Sequence, residues 1–549
     1  MLPVFLLTLA ATIDIYPGDD LFGAMQALQA GDELVIHEGT YDVPGFVNIV
    51  LAGTADAPIT IRGAEGEVAV IQGIPSQNAI NIEGTYYTLR DLEIVGGSHG
   101  VRVGTSAHAT FENLVIHHTG DVGISCNRPM HSYEDITIRR VHIHDTGQAG
   151  HPGECMYLGC NDGACKVWDS TIEWNLCHDT LAGGQGDGIE LKTGSYNTVI
   201  RHNVIYNVKY PGITAYGTQG MAPNTIEGNV VWSVADNGIQ LVGDAIVRNN
   251  LVFDVGASGI AAKPSQGEVV KDLTVVHNTV VGAGDTCFRG NQLPGGGGGI
   301  VVANNAFYCE GTSAIKLPDG PGQAIFAANA VVGAVSGLQG GTIDGEGLGA
   351  FVDAAAKNVY PAQGSPLVDA ADAQYAPAED FNCLPRAGAH EIGAYDVSTP
   401  DNPGWPVQPD FKQCAGGETG GETDSDGTTG EGTTGDGTTG TASEGTSSTG
   451  GTSGAPTTGD APGSSGDVGT GAGTGTGMSP TTGSSGQGSA DSTGESGDPA
   501  TASAGETGGQ GTEEGCGCRG GGGGGLWALI LAAGWGRRPR EPRRGPRAA

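Results

Sequence analysis

The chain predicts an all-β solenoid, on three observations. The first is a recurring frame, apolar–x–x–Asn–x–apolar, whose central residues are Asn175, Asn203, Asn229, Asn250, Asn278, Asn305 and Asn329. Earlier copies carry an aliphatic residue in the Asn slot (Leu92, Leu114 and Val141), so that ten copies follow one another at steps of 22, 27, 34, 28, 26, 21, 28, 27 and 24 residues. The second is the filling between them, short Val/Ile/Thr strands broken by Gly and Asn turns, which suits stacked coils rather than helices. The third is a size argument. One coil cannot bury its own apolar face, so like coils must stack at about 4.8 Å, placing like residue above like. An inward Asn can then hydrogen-bond the backbone and the Asn one coil away, which satisfies a buried amide. Asn also tolerates the left-handed conformation of a sharp bend. A leucine-rich repeat, whose Asn also recurs in register, is excluded because it needs Leu-rich coils with helical segments.

The elements follow in order. Residues 1–12 form an apolar run ending in small residues, expected to be a secretory signal peptide with Thr8 and Ala10 as the cleavage pair. In residues 16–28, Asp19 or Asp20 can cap a short helix that places Leu21, Met25 and Leu28 on one face, covering the open N-terminal end of the solenoid. The solenoid with its caps is expected over 13–400, residues 330–414 forming the C-terminal cap. A spacer follows over 401–515; its barest part, from Ala415 on, is nearly all Gly, Thr, Ser, Ala and acidic residues without Lys or Arg, and is expected to be disordered. Much of the content of 99 Gly and the net charge of −36 reflects this segment, and the acidity argues against a nucleic-acid partner. Nine Cys lie between 126 and 414, three of them (Cys155, Cys160 and Cys165) in the longest step of the repeat. Disulfides stapling that excursion fit an exported protein; the odd count leaves one thiol over. No Cys-x-x-Cys pair supports zinc.

The opening resembles the N-terminal coil of right-handed parallel β-helix polysaccharide lyases. The resemblance covers residues 16–73: a capping helix, then "GDELVIHEGTYDV" and "APITIRG". It implies a right-handed parallel β-helix with an N-terminal capping helix. "EDFNCLPRAGAHEIGAYD" (379–396) resembles the closing segment of such secreted proteins. Residues 516–549, with Cys516-Gly517-Cys518, an apolar stretch Leu526–Trp535 and an Arg cluster, resemble the C-terminal sorting signal of myxobacterial surface proteins. This implies secretion, display at the cell surface and attachment to the cell envelope through the tail. The protein is expected to be a monomer.

The repeat also sets a ruler for side-chain direction. Each coil has a second strand in which a small residue precedes an apolar one, and period-two alternation turns the next residue outward. The outward row reads Arg102, Ser125, Tyr157, Glu190, Thr214, Gln240, Ala261 and Lys316. Two residues further on come Lys192, Tyr216 and Lys263, and before the small residue come Glu154 and Asp187. Glu154, Asp187 and Glu190 therefore converge, with Lys192 beside them. Three carboxylates suit a hard, oxygen-seeking cation such as Ca²⁺. An amine next to such a cation can take the weakly acidic proton alpha to a uronate carboxylate. "DGIELKTGSYNTVIRHN" (187–203) resembles the site strands of β-helix lyases, which implies metal roles for Asp187 and Glu190 and a base role for Lys192. Tyr216 stands where alginate- and chondroitin-type lyases carry an Arg, and is expected to protonate the leaving group. Tyr157, Gln240 and Lys263 are the expected sugar contacts. The expected function is Ca²⁺-dependent β-elimination of an acidic polysaccharide. The alternatives are a non-catalytic carbohydrate-binding or adhesive surface protein, in which Glu190 and Lys192 are a solvated ion pair, and a glycoside hydrolase using two carboxylates as acid and base.

Overall fold

The computed structural model describes residues 10–180, 182–296 and 299–415. The expected spacer beyond 415, the sorting tail and nearly all of the expected signal peptide lie outside the described residues. From Thr12 the chain is already part of the first coil: Thr12–Ile15 pairs in parallel with Glu33–Ile36.

Parallel strands stack coil on coil into one sheet of 35 strands, and only Phe351–Asp353 and Asn358–Pro361 form a separate pair. The single α-helix among the described residues, Leu21–Ala27, is capped by Asp20, whose side chain accepts from the Gly23 amide. Leu21, Phe22, Met25 and Leu28 are buried, so the helix closes the N-terminal end with its apolar face inward.

The Asn ladder is continuous. Asn203 Oδ1 accepts from both the amide and Nδ2 of Asn175, and Asn203 Nδ2 donates to Ile172 O and to Asn229 Oδ1. The same pattern repeats through Asn250, Asn278 and Asn305 to Asn329. Every rung is fully buried. The bend itself falls one residue earlier than the frame implies. Trp174, His202, Asn249, His277, Asn304 and Ala328, each just before a ladder Asn, are the residues at positive φ. The Asn is free of that strain because its side chain must point inward, while the preceding side chain points out of the coil, where Asn249, His277 and Asn304 are covered by the C-terminal segment.

Outside the bend a second ladder locks the register. Arg62, Arg90, Glu112, Arg139, Glu173, Arg201, Glu227 and Arg248 stack in one outward column. Neighbours pair at 2.9 Å (Arg139–Glu112), 2.7 Å (Arg201–Glu173) and 2.6 Å (Arg248–Glu227). From Arg90 to Arg248 the signs alternate, so a slip of one coil there would set like charges face to face.

The C-terminal segment does not cap the end. After Thr342–Asp344 the chain turns back along the flank of the coils as a strap. Asp372 bonds Asn304, Ala394 bonds Thr279, Arg386 bonds Asn249, and Lys412 reaches His202 and the Gly228 carbonyl. Beneath it a second apolar core joins Val230, Trp232, Leu251, Phe253 and Tyr308 to Phe351, Phe381, Tyr395 and Trp405. The packed chain therefore runs past the boundary expected at 400: Trp405 and Lys412 are buried, and Cys414 is bonded to Cys383. The other disulfides are Cys155–Cys177, Cys160–Cys165 and Cys287–Cys309, and Cys126 is a buried free thiol. Two of them staple the long excursion between Val141 and Asn175.

Candidate active site

The outward row is stacked as alternation requires. Arg102, Ser125, Tyr157, Glu190, Thr214, Gln240 and Ala261 are successive register partners. One coil, Thr286–Gly290, escaped the sequence reading, so Arg289 stands between Ala261 and Lys316. Its strand, "TCFRG", carries Cys287 in the small-residue slot, as "ECMYLG" carries Cys155.

Glu154 and Asp187 precede the strands Met156–Leu158 and Ile189–Leu191, which pair in register. Gly188 lets the following coil approach the Asp187 strand: a Cβ there would collide with the carbonyl of Gly212. The result is a triad in which one carboxylate oxygen from each of Glu154, Asp187 and Glu190 lies within 4.8 Å of the others. Lys192 Nζ is in close ion-pair contact with Glu190, 4.6 Å from the Tyr157 ring centre and 5.0 Å from that of Tyr216. Tyr216 OH donates to Glu190 Oε1 at 3.5 Å, and Thr214 Oγ1 donates to Asp187 Oδ1 at 3.1 Å.

The patch is not solvated. Glu154, Asp187, Glu190 and Lys192 are 0–4% exposed, so the picture of a solvated Glu190–Lys192 pair is corrected. A hydrogen-bonded chain from Tyr157 OH through Asn161 and Gln266 to Thr193 runs beside them. Burial carries the electrostatics. It pushes Glu154 up to about 8, the nearby Glu190 charge adding to the effect. It raises Asp187 well above the carboxylate range, again with Glu190 next in weight. The Tyr157 phenol is raised by burial as well. Both carboxylate oxygens of Glu154 are buried and find no hydrogen-bond partner in another described residue.

Gln240 sits two coils beyond Glu190 in the same column and accepts from Asn237 Nδ2 at 3.1 Å. Lys263 lies three coils beyond Lys192, about 14 Å along the stack, outside the patch. The sequence reading assigned no role to Thr214, nor to the groups that extend the face toward the N-terminus. There Arg102 Nη1 contacts His99 Nε2 at 2.9 Å and Arg128 Nη2 donates to Asn81 at 3.0 Å. Asp121 accepts from the Gly153 amide at 3.1 Å and adds negative charge beside Glu154. Arg128 and Asp121 fall in turns, where the repeat offers no register signal.

Residues 10–179 match a family model described as Pel9A-like, right handed beta helix region, and residues 218–314 match one described as right handed beta helix region. Glu154 falls inside the first match; Asp187, Glu190 and Lys192 fall between the two. Pectate lyase PEL9 of Emericella nidulans is 27% identical over 130 residues, 21% of this chain and 32% of that protein, so the match spans about a third of that relative's length. Among solved structures, pectate lyase Pel9A aligns at 15% identity with a TM-score of 0.41, over 71% of this chain and 97% of that one. An alginate lyase from a Paenibacillus species aligns at 21% identity with a TM-score of 0.38, over 50% and 94%. From Thr12 to Asp344 the chain is a right-handed parallel β-helix.

Proposed function

We propose that this protein is an exported polysaccharide lyase that cleaves a uronic-acid polymer by β-elimination, with Ca²⁺ held by Glu154, Asp187 and Glu190. The observation that carries the reading is the buried carboxylate triad, in which neither Glu154 oxygen meets a donor from another residue. Uncompensated buried carboxylates are costly, and an oxygen-seeking cation is the partner that removes the cost. When bound, the cation offsets their charge and draws charge from a uronate carboxylate. Lys192, in its neutral form, takes the proton alpha to that carboxylate; the bond to the leaving oxygen breaks, a carbon–carbon double bond forms, and Tyr216 OH delivers a proton to the leaving oxygen. Tyr157 and Gln240 line the sugar path, Lys263 contacts the polymer further along, and Arg102 and Arg128 meet its charge on the N-terminal side. Four disulfides favour an oxidising compartment, in keeping with secretion and surface display.

The burial of the patch supports a second reading, in which the cation pins two coils together and a glycan binds without cleavage. Incubation with pectate, alginate and other uronans, with and without Ca²⁺, separates the two. The lyase yields unsaturated uronides only with Ca²⁺, and Lys192→Ala lowers the rate at least about a hundredfold at a temperature where the variant is still folded. Binding without any unsaturated product across the panel overturns the lyase.

A further inference from the structure

Five of the thirteen histidines gather on another face of the coils, on the strands that follow the bend: His117, His118, His142, His144 and His178. Register brings His117, His144 and His178 above one another, and His142 shares the outward face of His144 two residues away. The ring centres of His142, His144 and His178 form a triangle with sides of 4.5, 5.0 and 5.1 Å. His142 Nε2 and His178 Nε2 face each other at 2.8 Å. Carboxylates hold the opposite nitrogens: Asp145 lies 2.8 Å from His144 Nδ1 and Asp179 lies 2.7 Å from His178 Nδ1. Each carboxylate fixes the proton on Nδ1 and leaves Nε2 as a lone-pair donor, the outer arrangement that metal-bound imidazoles use.

We propose that His142, His144 and His178 bind a divalent transition ion of the zinc class, separate from the oxygen-lined acidic patch. A metal at about 2.1 Å from an imidazole nitrogen lies about 3.1 Å from the ring centre, so tetrahedral ligands have ring centres about 5 Å apart. The ring centres have that spacing, and ligation requires His144, which stacks parallel to His178, to turn so that its nitrogen points to the same centre as those of His142 and His178. Imidazole sets favour zinc, copper or nickel over Ca²⁺. Burial and the neighbouring imidazoles hold His142 down to about 4, in the neutral form that ligates. Asp410 on the strap acts on His142 from the other side and the Phe411 ring packs edge-on 6.3 Å from it, so the site lies where the strap ends. The fourth position is left to water.

The test is titration of the full chain with ZnCl₂, and with CoCl₂ followed by its visible ligand-field bands, in buffer saturated with Ca²⁺. One site per chain with a cobalt spectrum of nitrogen ligation is expected. His142→Ala and His178→Ala weaken binding at least about tenfold, whereas Glu154→Gln and the control His131→Ala, outside the cluster, leave it unchanged. Wild-type protein without nitrogen-type cobalt bands overturns the proposal whatever the variants do. Equal affinity in the folded His142→Ala variant, or loss of binding in Glu154→Gln alone, overturns it too.

Discussion

Glu154 shows how a single residue can be placed by sequence and yet have its chemistry decided by packing. Its position beside Asp187 followed from counting coils; its pKa of about 8 comes from burial against Glu190. A carboxyl whose folded pKa exceeds its unfolded one is progressively penalised as pH rises from the unfolded value near 4.5 to the folded one. Without cation, stability is therefore expected to fall between about pH 4.5 and 8, and Glu154→Gln should flatten that fall in thermal melts. A variant melting with the same pH slope as wild type contradicts this account. On the proposed Ca²⁺ site the cation is held by the ionised carboxylates, so its stabilising effect should be larger at pH 8 than at pH 5. The ladder offers a second residue-scale prediction. Asn229 Oδ1 accepts from the amide and Nδ2 of Asn203, and its Nδ2 donates to Ile200 O and Asn250 Oδ1. Asn229→Leu leaves these groups buried and unsatisfied and should cost about 2–3 kcal/mol in denaturant unfolding.

Among the elements, the strands were legible and the strap was not. Strand positions announce themselves by alternation: Ile172, Ile200, Ile226, Val247 and Val275 point inward and are fully buried. Residues 345–415 carry no period, and several of their partners lie more than a hundred residues away, as with Arg386 and Asn249 or His277 and the Gly393 carbonyl. The resemblance of residues 379–396 to a closing segment suggested a cap on the open end, whereas the segment covers the apolar flank of Trp232, Phe253 and Tyr308. The Cys383–Cys414 bond closes a loop across 31 residues, worth about 3–4 kcal/mol in chain entropy. Cys414→Ser should raise hydrogen exchange in residues 400–415 while amides of the Asn ladder keep their protection. Loss of protection in the ladder as well would mean that strap and coils unfold as one unit.

Taken whole, the described chain is a repeat stack with a non-repeating brace. A stack of coils contacts only its neighbours, whereas the strap reaches from the last coils back to His202 and so couples distant repeats. Truncation after Asp344 exposes Val230, Trp232, Leu251, Phe253 and Tyr308 in one continuous patch. Such a patch should drive self-association, seen as a larger species by size exclusion than the full chain gives. A truncated chain that stays monomeric would show that the strap is dispensable for solubility. At a hundredfold excess over its dissociation constant, Ca²⁺ should add about 2.7 kcal/mol to stability.

The sequence by itself determined the solenoid, the Asn ladder, the capping helix and the co-location of Glu154, Asp187, Glu190 and Lys192, because in-register stacking turns spacing along the chain into neighbourhood in space. Only the tertiary structure decided that the strap lies along the flank, that the bend belongs to the residue before each Asn, and that the acidic patch is buried rather than solvated. Those outcomes depend on which surfaces the non-repeating segments cover, and burial, unlike register, has no period to read.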